Sequence, residues 1–364
     1  MRDCLVLHIL PIDLARGAQT YARELRLALD GSTTRHRTLT LFRSEPAALR
    51  PDFSLAVPPG RMRRALDPRA LYRLRKTLRR EKPAIVVVHG GEPLKYAVLA
   101  GVPKERLVYY KIGIGGDRLH GSRGRLHRAM LRRVGTIAAV SVDAAAEVRR
   151  LEVGAGDVVV IPNGRDPKLF QHRERRATNT GAARLVFLGH LTESKRPERF
   201  VAVVRSLRAE GLELTASVAG DGPLLVGLRA AAAEEQVELL GRVDDVPALL
   251  ARNDVLVFTS VAEGEGMPGV LIEAGLGGLA VVTTDVPGAA DVIVDGETGF
   301  VVPVDDMASL VQACRSLVVN ADVRDRFGAA ARLRCEREFS LDASTAKWRE
   351  LLATINTRVC TSST

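Results

Sequence analysis

Apolar residues in this chain come in two recurring patterns. Short runs such as Ile85-Val86-Val87-Val88 and Val158-Val159-Val160-Ile161 are continuous rather than alternating, which is how strands buried on both faces of a parallel sheet read. Between them lie longer stretches with apolar positions three and four apart, the spacing of amphipathic helices. In the first half this predicts strands near 4–10, 38–42, 84–89, 106–112, 136–140 and 158–161, with helices near 18–29, 69–80, 93–100, 122–133 and 142–151. Polar sequence from Arg173 to Gly181 interrupts the pattern and reads as an interdomain linker. The alternation then restarts, with strands near 184–189, 213–219, 237–240, 255–258 and 279–283 and helices near 197–210, 224–234, 246–251 and 269–276. The tail from Ala308 to about Ile355 reads as helical throughout. Two successive βα modules predict an α/β chain of two Rossmann-like, doubly wound domains, over 1–175 and 182–339. Ligands in such sheets bind at the carboxyl ends of the strands, so the expected site is a cleft between the two domains.

Composition fits this picture. At 364 residues, 46% hydrophobic and 26% charged, the chain has the length of two ordinary globular domains. No apolar run approaches the roughly 18 residues of a membrane span. The run from Cys4 to Leu10 is too short for a secretory leader and reads as a first strand. Four scattered cysteines (Cys4, Cys314, Cys335, Cys360) have no metal-site or disulfide spacing, which suits a cytoplasmic protein.

The charge of +10 is unevenly placed. Residues 1–180 hold 35 Lys and Arg against 17 Asp and Glu, and the remainder is acidic by eight. Leu71, Leu74 and Leu78 share a helical face amid arginines, and Leu126 and Met130 repeat the arrangement between Arg123 and Arg133. Such helices either lie on an anionic membrane or turn their apolar stripe to the core with solvated arginines outside. Nucleic acid is a poor fit, since aromatics are only 4% and no binding motif occurs.

The segment from Asn253 to Ala274 carries the most chemistry. A buried run, Val255-Leu256-Val257-Phe258, leads into a glycine-rich stretch and then a helix with Pro268 at its start, an arrangement whose free N–H groups suit phosphate or sugar oxygens. Gly264-x-Gly266-x-x-Gly269, with Asp285 further on, matches the dinucleotide fingerprint. Against that reading, Glu265 would place a negative charge beside a pyrophosphate. The stretch also lies late in its domain. Glu265 and Glu273 stand eight residues apart, slightly over two helical turns, so both carboxylates could accept from sugar hydroxyls. By themselves they could equally be surface glutamates near a helix amino terminus.

These residues resemble the E-x7-E motif of glycosyltransferase family 4, and the resemblance extends over nearly the whole chain. Gly189-His190-Leu191-Thr192-Glu193-Ser194-Lys195-Arg196-Pro197 is similar to that family's donor loop, and Gly220-Asp221-Gly222-Pro223-Leu224 to its Gly-x-Gly-Pro turn. Asp285-Val286-Pro287-Gly288, Asp295-Gly296-Glu297-Thr298-Gly299-Phe300 and Ile161-Pro162-Asn163-Gly164-Arg165-Asp166 resemble further family segments.

The resemblance implies a GT-B fold. Its final helix, about 340–360, crosses back to an acceptor-binding amino-terminal domain, and its carboxy-terminal domain binds the nucleotide-sugar. It implies retention of configuration, with a nucleoside-diphosphate sugar as co-substrate and no metal or other cofactor. Asp244-Asp245 and Asp305-Asp306 are then surface or capping acids. Glu265 would contact the donor sugar with the segment Gly266, Met267, Pro268 and Gly269, and Glu273 would hold the ribose. Lys195 would neutralise the diphosphate, Arg242 and Val243 would lie beside the base, and Gly17 would approach the phosphates. His190 stands where the family has an arginine. Lys111 occupies the place of a sugar-side histidine, and Arg16-Gly17 replaces a Gly-Gly pair. His89 and His120 read as packed or exposed histidines.

Three functions remain open at this point. They are a retaining glycosyltransferase acting on a lipid-linked, cell-envelope or natural-product acceptor at the inner membrane face, a dinucleotide-dependent oxidoreductase, and a degenerate nucleotide-sugar-binding protein.

Overall fold

The computed structural model describes residues 4–13, 17–31, 34–44, 50–58, 66–115, 121–154, 158–170, 182–263 and 265–361. The chain divides into two compact units. The first takes Met1–Gly164 and Leu341–Thr364, the second Arg165–Ser340. The division falls ahead of the segment 173–181, which lies outside the described residues.

The first unit runs β1 (Cys4–Ile12), α1 (Gly17–Leu29), β2 (Thr34–Phe42), β3 (Phe53–Val57), α2 (Pro68–Glu81), β4 (Ile85–His89), α3 (Gly91–Ala100), β5 (Leu107–Lys111), α4 (Gly121–Leu131), β6 (Thr136–Ala139), α5 (Val142–Arg150) and β7 (Val158–Val160). Its seven strands are ordered β3-β2-β1-β4-β5-β6-β7, each pair parallel. All five residues of β4 and of β5 are buried; the runs Ile85–Val88 and Leu107–Tyr110 read as strands covered on both faces, and each strand ends in a polar residue, His89 and Lys111. Helix α2 starts where Asp67 accepts from the N–H groups of Arg69 and Ala70, with Pro68 in the first turn.

The second unit runs β8 (Ala183–Leu188), α6 (Pro197–Ala209), β9 (Leu214–Ala219), α7 (Leu225–Glu234), β10 (Glu238–Gly241), α8 (Val246–Ala251), β11 (Val255–Phe258), α9 (Gly269–Leu276), β12 (Ala280–Thr284), α10 (Ala289–Val292), β13 (Gly299–Val302), α11 (Met307–Val319) and α12 (Ala321–Glu338). Its sheet has the order β10-β9-β8-β11-β12-β13, again parallel. Both units therefore have the doubly wound order in which the chain reverses direction beside the first strand.

Strands β3 and β13 and the short α10 lie outside the sequence expectation. Both strands are sheet edges, short and partly exposed; the apolar positions of β3 are interrupted by Ser54, and the run Phe300-Val301-Val302 of β13 is only three residues long. The tail expected to be helical consists of three helices, α11, α12 and a last one. Asn320 caps α12 by accepting from Val323 N–H, and a second break separates α12 from α13 (Leu341–Thr361).

Helix α13 belongs to the first unit. Trp348 is fully buried there, and its Nε1–H donates to Tyr21 Oη at 3.0 Å. Ser344 lies 2.6 Å from the same hydroxyl and donates to Pro162 O at 2.7 Å. The Trp348 ring meets Tyr110 edge-on at 5.1 Å. Beyond Tyr110, three buried histidines cross neighbouring strands. His8 Nδ1 is 3.1 Å from His89 Nε2, and His8 Nε2 is 3.1 Å from His36 Nδ1. His89 is thus a packed histidine, while His120 lies outside the described residues.

Candidate functional site

In the second unit, β8 and β11 are the neighbouring strands from which the chain winds off in opposite directions. Ligands of doubly wound sheets bind at the carboxyl ends of such a strand pair. The donor-type loop Gly189–Arg196 follows β8, and the glycine-rich stretch follows β11. Thr259, just after β11, donates its hydroxyl to Lys195 O and Arg196 O at 2.8 and 2.9 Å, and Val261 N–H donates to Ser194 O. The two loops are thereby fixed to one another.

Lys195 and Glu265 form an ion pair across this junction. The ammonium also sits 4.8 Å from the centre of the Phe258 ring, a favourable cation–π placement. Glu265, Met267 and Pro268 are buried, as is Gly266. Gly264 lies outside the described residues. Helix α9 opens after Pro268 with no side-chain cap, and Leu271 N–H donates to Pro268 O, which leaves the N–H groups of Gly269 and Val270 for a ligand. Behind the loops, Gly222 adopts φ +151°, and a β-carbon there would meet Leu191 O at 2.5 Å. The Gly220–Leu224 turn can press against the donor-type loop because Gly222 has no side chain. Gly288 (φ +76°) does the same for the backbone of Gly266 and Met267.

Glu273, one helical face along α9, accepts from Arg165 Nε at 2.7 Å. Arg165 is 6% exposed and is held by Phe339 O, which accepts its backbone N–H. Gly269 gives it room, since a β-carbon at that position would meet the guanidinium. The sequence showed Arg165 only as part of a motif and gave no reason to pair it with a residue 108 positions away.

The other candidates are more dispersed. His190 is exposed, with Nδ1 2.6 Å from Asp221 O, so this nitrogen carries the proton and donates. Arg242 is exposed beside Asp244, and Val243 is half-buried, both after β10. Gly17 and Lys111 belong to the first unit. Gly17 is the exposed first residue of α1, and its neighbour Arg16 lies outside the described residues. Lys111 is buried at the end of β5, ion-paired with Glu147 of α5 and donating to Gly113 O at 2.8 Å. Glu147 also accepts from Gly115 N–H at 2.9 Å. The pair organises the turn after β5, and Glu147, read from the sequence as a helix residue only, is what neutralises Lys111.

Asp245 and Asp306 cap α8 and α11, and Asp305 pairs with Arg196 and Arg199. Among the described residues, no group of three or more His, Cys, Asp or Glu side chains converges to hold a metal ion. The dinucleotide reading fits the geometry poorly. The glycine-rich stretch follows the fourth strand of its unit, not the first, and Lys195 holds Glu265 inside it.

Two family profiles match the chain, Glycosyltransferase Family 4 over residues 15–169 and Glycosyl transferases group 1 over residues 182–320. Among curated relatives, the glycogen synthase of Mycobacterium tuberculosis is 30% identical over 192 residues, covering 51% of this chain and 46% of the relative. A Campylobacter jejuni α-1,4-N-acetyl-D-galactosaminyltransferase, named for a diNAcBac-PP-undecaprenol acceptor, is 29% identical over 175 residues, covering 47% and 48%. The chain spans about half the length of the curated relatives it matches. Among solved structures, Anabaena Alr3699/HepE in complex with UDP-glucose aligns with a TM-score of 0.77 at 16% identity, over 96% of this chain and 99% of that one. That likeness shows the GT-B type of fold. Two adjoining family profiles, two parallel Rossmann-like domains and the motif residues gathered around β8 and β11 place this chain in glycosyltransferase family 4.

Proposed function

We propose that the chain moves a sugar from a nucleoside-diphosphate sugar to an acceptor hydroxyl with retention of configuration and without a metal. The observation that carries this reading is the Lys195–Glu265 pair at the open amino terminus of α9. A departing diphosphate needs fixed positive charge and N–H donors, and both are present there. On donor binding the Lys195 ammonium turns from Glu265 to the phosphates, and the Glu265 carboxylate accepts from sugar hydroxyls. Glu273, oriented by Arg165, accepts from the ribose, while Arg242 and Val243 border the base. His190 completes the diphosphate contacts of the second unit. The acceptor hydroxyl attacks the anomeric carbon on the face from which the diphosphate leaves, and a phosphate oxygen takes its proton. Catalysis is then mostly positioning and charge stabilisation.

Lys111, locked to Glu147, acts by shaping the turn after β5 beside the acceptor. The first unit is the acceptor-binding domain. The acceptor is a lipid-linked or cell-envelope glycan, a proposal supported by the relative named for an undecaprenol-linked substrate. The basic outer faces of α2 and α4 suit work at an anionic inner membrane surface. No helix among the described residues is long and apolar enough to cross a membrane.

A thermal-shift series with UDP, GDP, ADP, TDP and NAD(H), on the native chain and on Glu273→Gln, tests the reading. A shift with one nucleoside diphosphate that weakens in the variant and persists in EDTA supports it. Stabilisation by NAD(H) alone refutes it.

A further inference from the structure

The first unit carries a groove of about 550 Å³ at the amino-terminal ends of β4 and β5. Doubly wound sheets bind their principal ligands at the opposite ends of the strands. Leu78, Val86, Val102 and two prolines make its floor apolar. Around it stand four cations from three segments: Arg75 and Arg79 in the last turns of α2, Lys82 directly after that helix, and Arg106 directly before β5. Among the described residues, no carboxylate lines the groove.

Four like charges around so small a volume repel one another. Helices α2 and α3 both end at the groove, and each contributes about half a negative charge through its carboxyl-terminal carbonyls. Roughly three positive charges therefore stay unbalanced. Arg75 donates to Leu99 O at 2.7 Å, but none of the four cations forms an ion pair with another described residue. Arg106 Nε is buried with no acceptor. A buried N–H of this kind is costly.

Lys82 gives an independent sign. It caps α2 in the left-handed backbone region, at φ 47° and ψ 54°, where glycine is the ordinary occupant because it has no β-carbon. A lysine keeps an ammonium at the groove despite that strain.

We propose that this groove binds a phosphate group carried on an apolar chain. The guanidinium forks of Arg75, Arg79 and Arg106 match phosphate oxygens, Lys82 adds a further charge, and the floor takes the first carbons of the chain. The carrier is either a membrane lipid or a soluble alkyl phosphate, since both present this chemistry. The site shares no residue with the donor loops, and its test reads binding, so a chain that transferred no sugar would leave the result unaffected.

The experiment titrates the full chain calorimetrically with hexyl phosphate and with inorganic phosphate. In parallel it measures co-sedimentation with phosphatidylcholine vesicles, with and without phosphatidic acid. Hexyl phosphate should bind one to one and more tightly than inorganic phosphate, weakening about tenfold with each of Arg79→Gln and Arg106→Gln. Lys82→Gly should weaken binding too while raising the melting temperature, because it relieves the strained cap, so its loss of binding is not loss of fold. Co-sedimentation that falls in the same variants identifies a lipid carrier. Unchanged co-sedimentation with lost hexyl phosphate binding identifies a soluble one. Hexyl phosphate binding no tighter than that of inorganic phosphate, or binding that all three variants retain, overturns the proposal.

Discussion

Lowering the pH from 7 to 5 should destabilise the first unit through its three linked histidines. His8, His36 and His89 are each no more than 1% exposed. Burial is the main cause holding each below its ordinary value of 6.5: His89 to about 3, His36 to about 4, and His8 well below. The neighbouring histidines and Arg26 depress His8 further, whereas Asp30 partly opposes the shift at His36. The unfolded chain therefore takes up protons first as pH falls. The stabilising contribution is complete above pH 6.5 and is lost as pH drops towards the folded values. At pH 5 His36 and His89 each cost about 2 kcal/mol relative to pH 7, about 4 kcal/mol together, and His8 adds to this in the same direction. That is comparable to the whole stability of many domains. Carboxylates with ordinary values near 4 contribute little in this window.

Trp348, the only tryptophan and fully buried in this unit, reports its unfolding. Urea titrations followed by its fluorescence at pH 7, 6 and 5 give the slope. His89→Phe, which keeps a ring against Tyr110, should remove about a third of it. A change under 1 kcal/mol across the window, or an unaltered slope in His89→Phe, would refute the reasoning. Because His89 Nδ1 has no partner, the less costly arrangement leaves it as a bare lone pair. His89 Nε2–H then donates to His8 and His8 Nε2–H to His36, a set of tautomers that nitrogen-15 NMR reads directly.

Gly222→Ala places a β-carbon against Leu191 O and should cost about 1–3 kcal/mol in the second unit, with nucleoside-diphosphate binding lost in parallel by calorimetry. Glu265→Gln should lower kcat about a hundredfold or more with little change in nucleoside-diphosphate affinity, as steady-state kinetics beside calorimetry would show. Lys111→Met leaves Glu147 buried without its cation and should destabilise the first unit by about 3–5 kcal/mol, seen in the Trp348 titration. The double change Lys111→Met with Glu147→Leu should recover most of that.

Continuous apolar runs located β4, β11 and β12 without any tertiary information, because a strand covered on both faces has no polar alternative along its length. Helix starts were equally legible where a capping acid and a proline coincide, as at Asp67-Pro68. The glycine-rich stretch, the two glutamates and Lys195 are legible because each belongs to a short local motif. Edge strands β3 and β13 were not, since half their surface faces away from the sheet and only pairing defines them. The same holds for side chains whose meaning is a partner far along the chain. Arg165 is explained by Glu273, Lys111 by Glu147, and three separate histidines by one another across β1, β2 and β4. Local sequence carries the periodicity and the turn chemistry of each element. Which charges are neutralised, and which polar groups are buried together, depends on strand order, and only the folded sheet decides that.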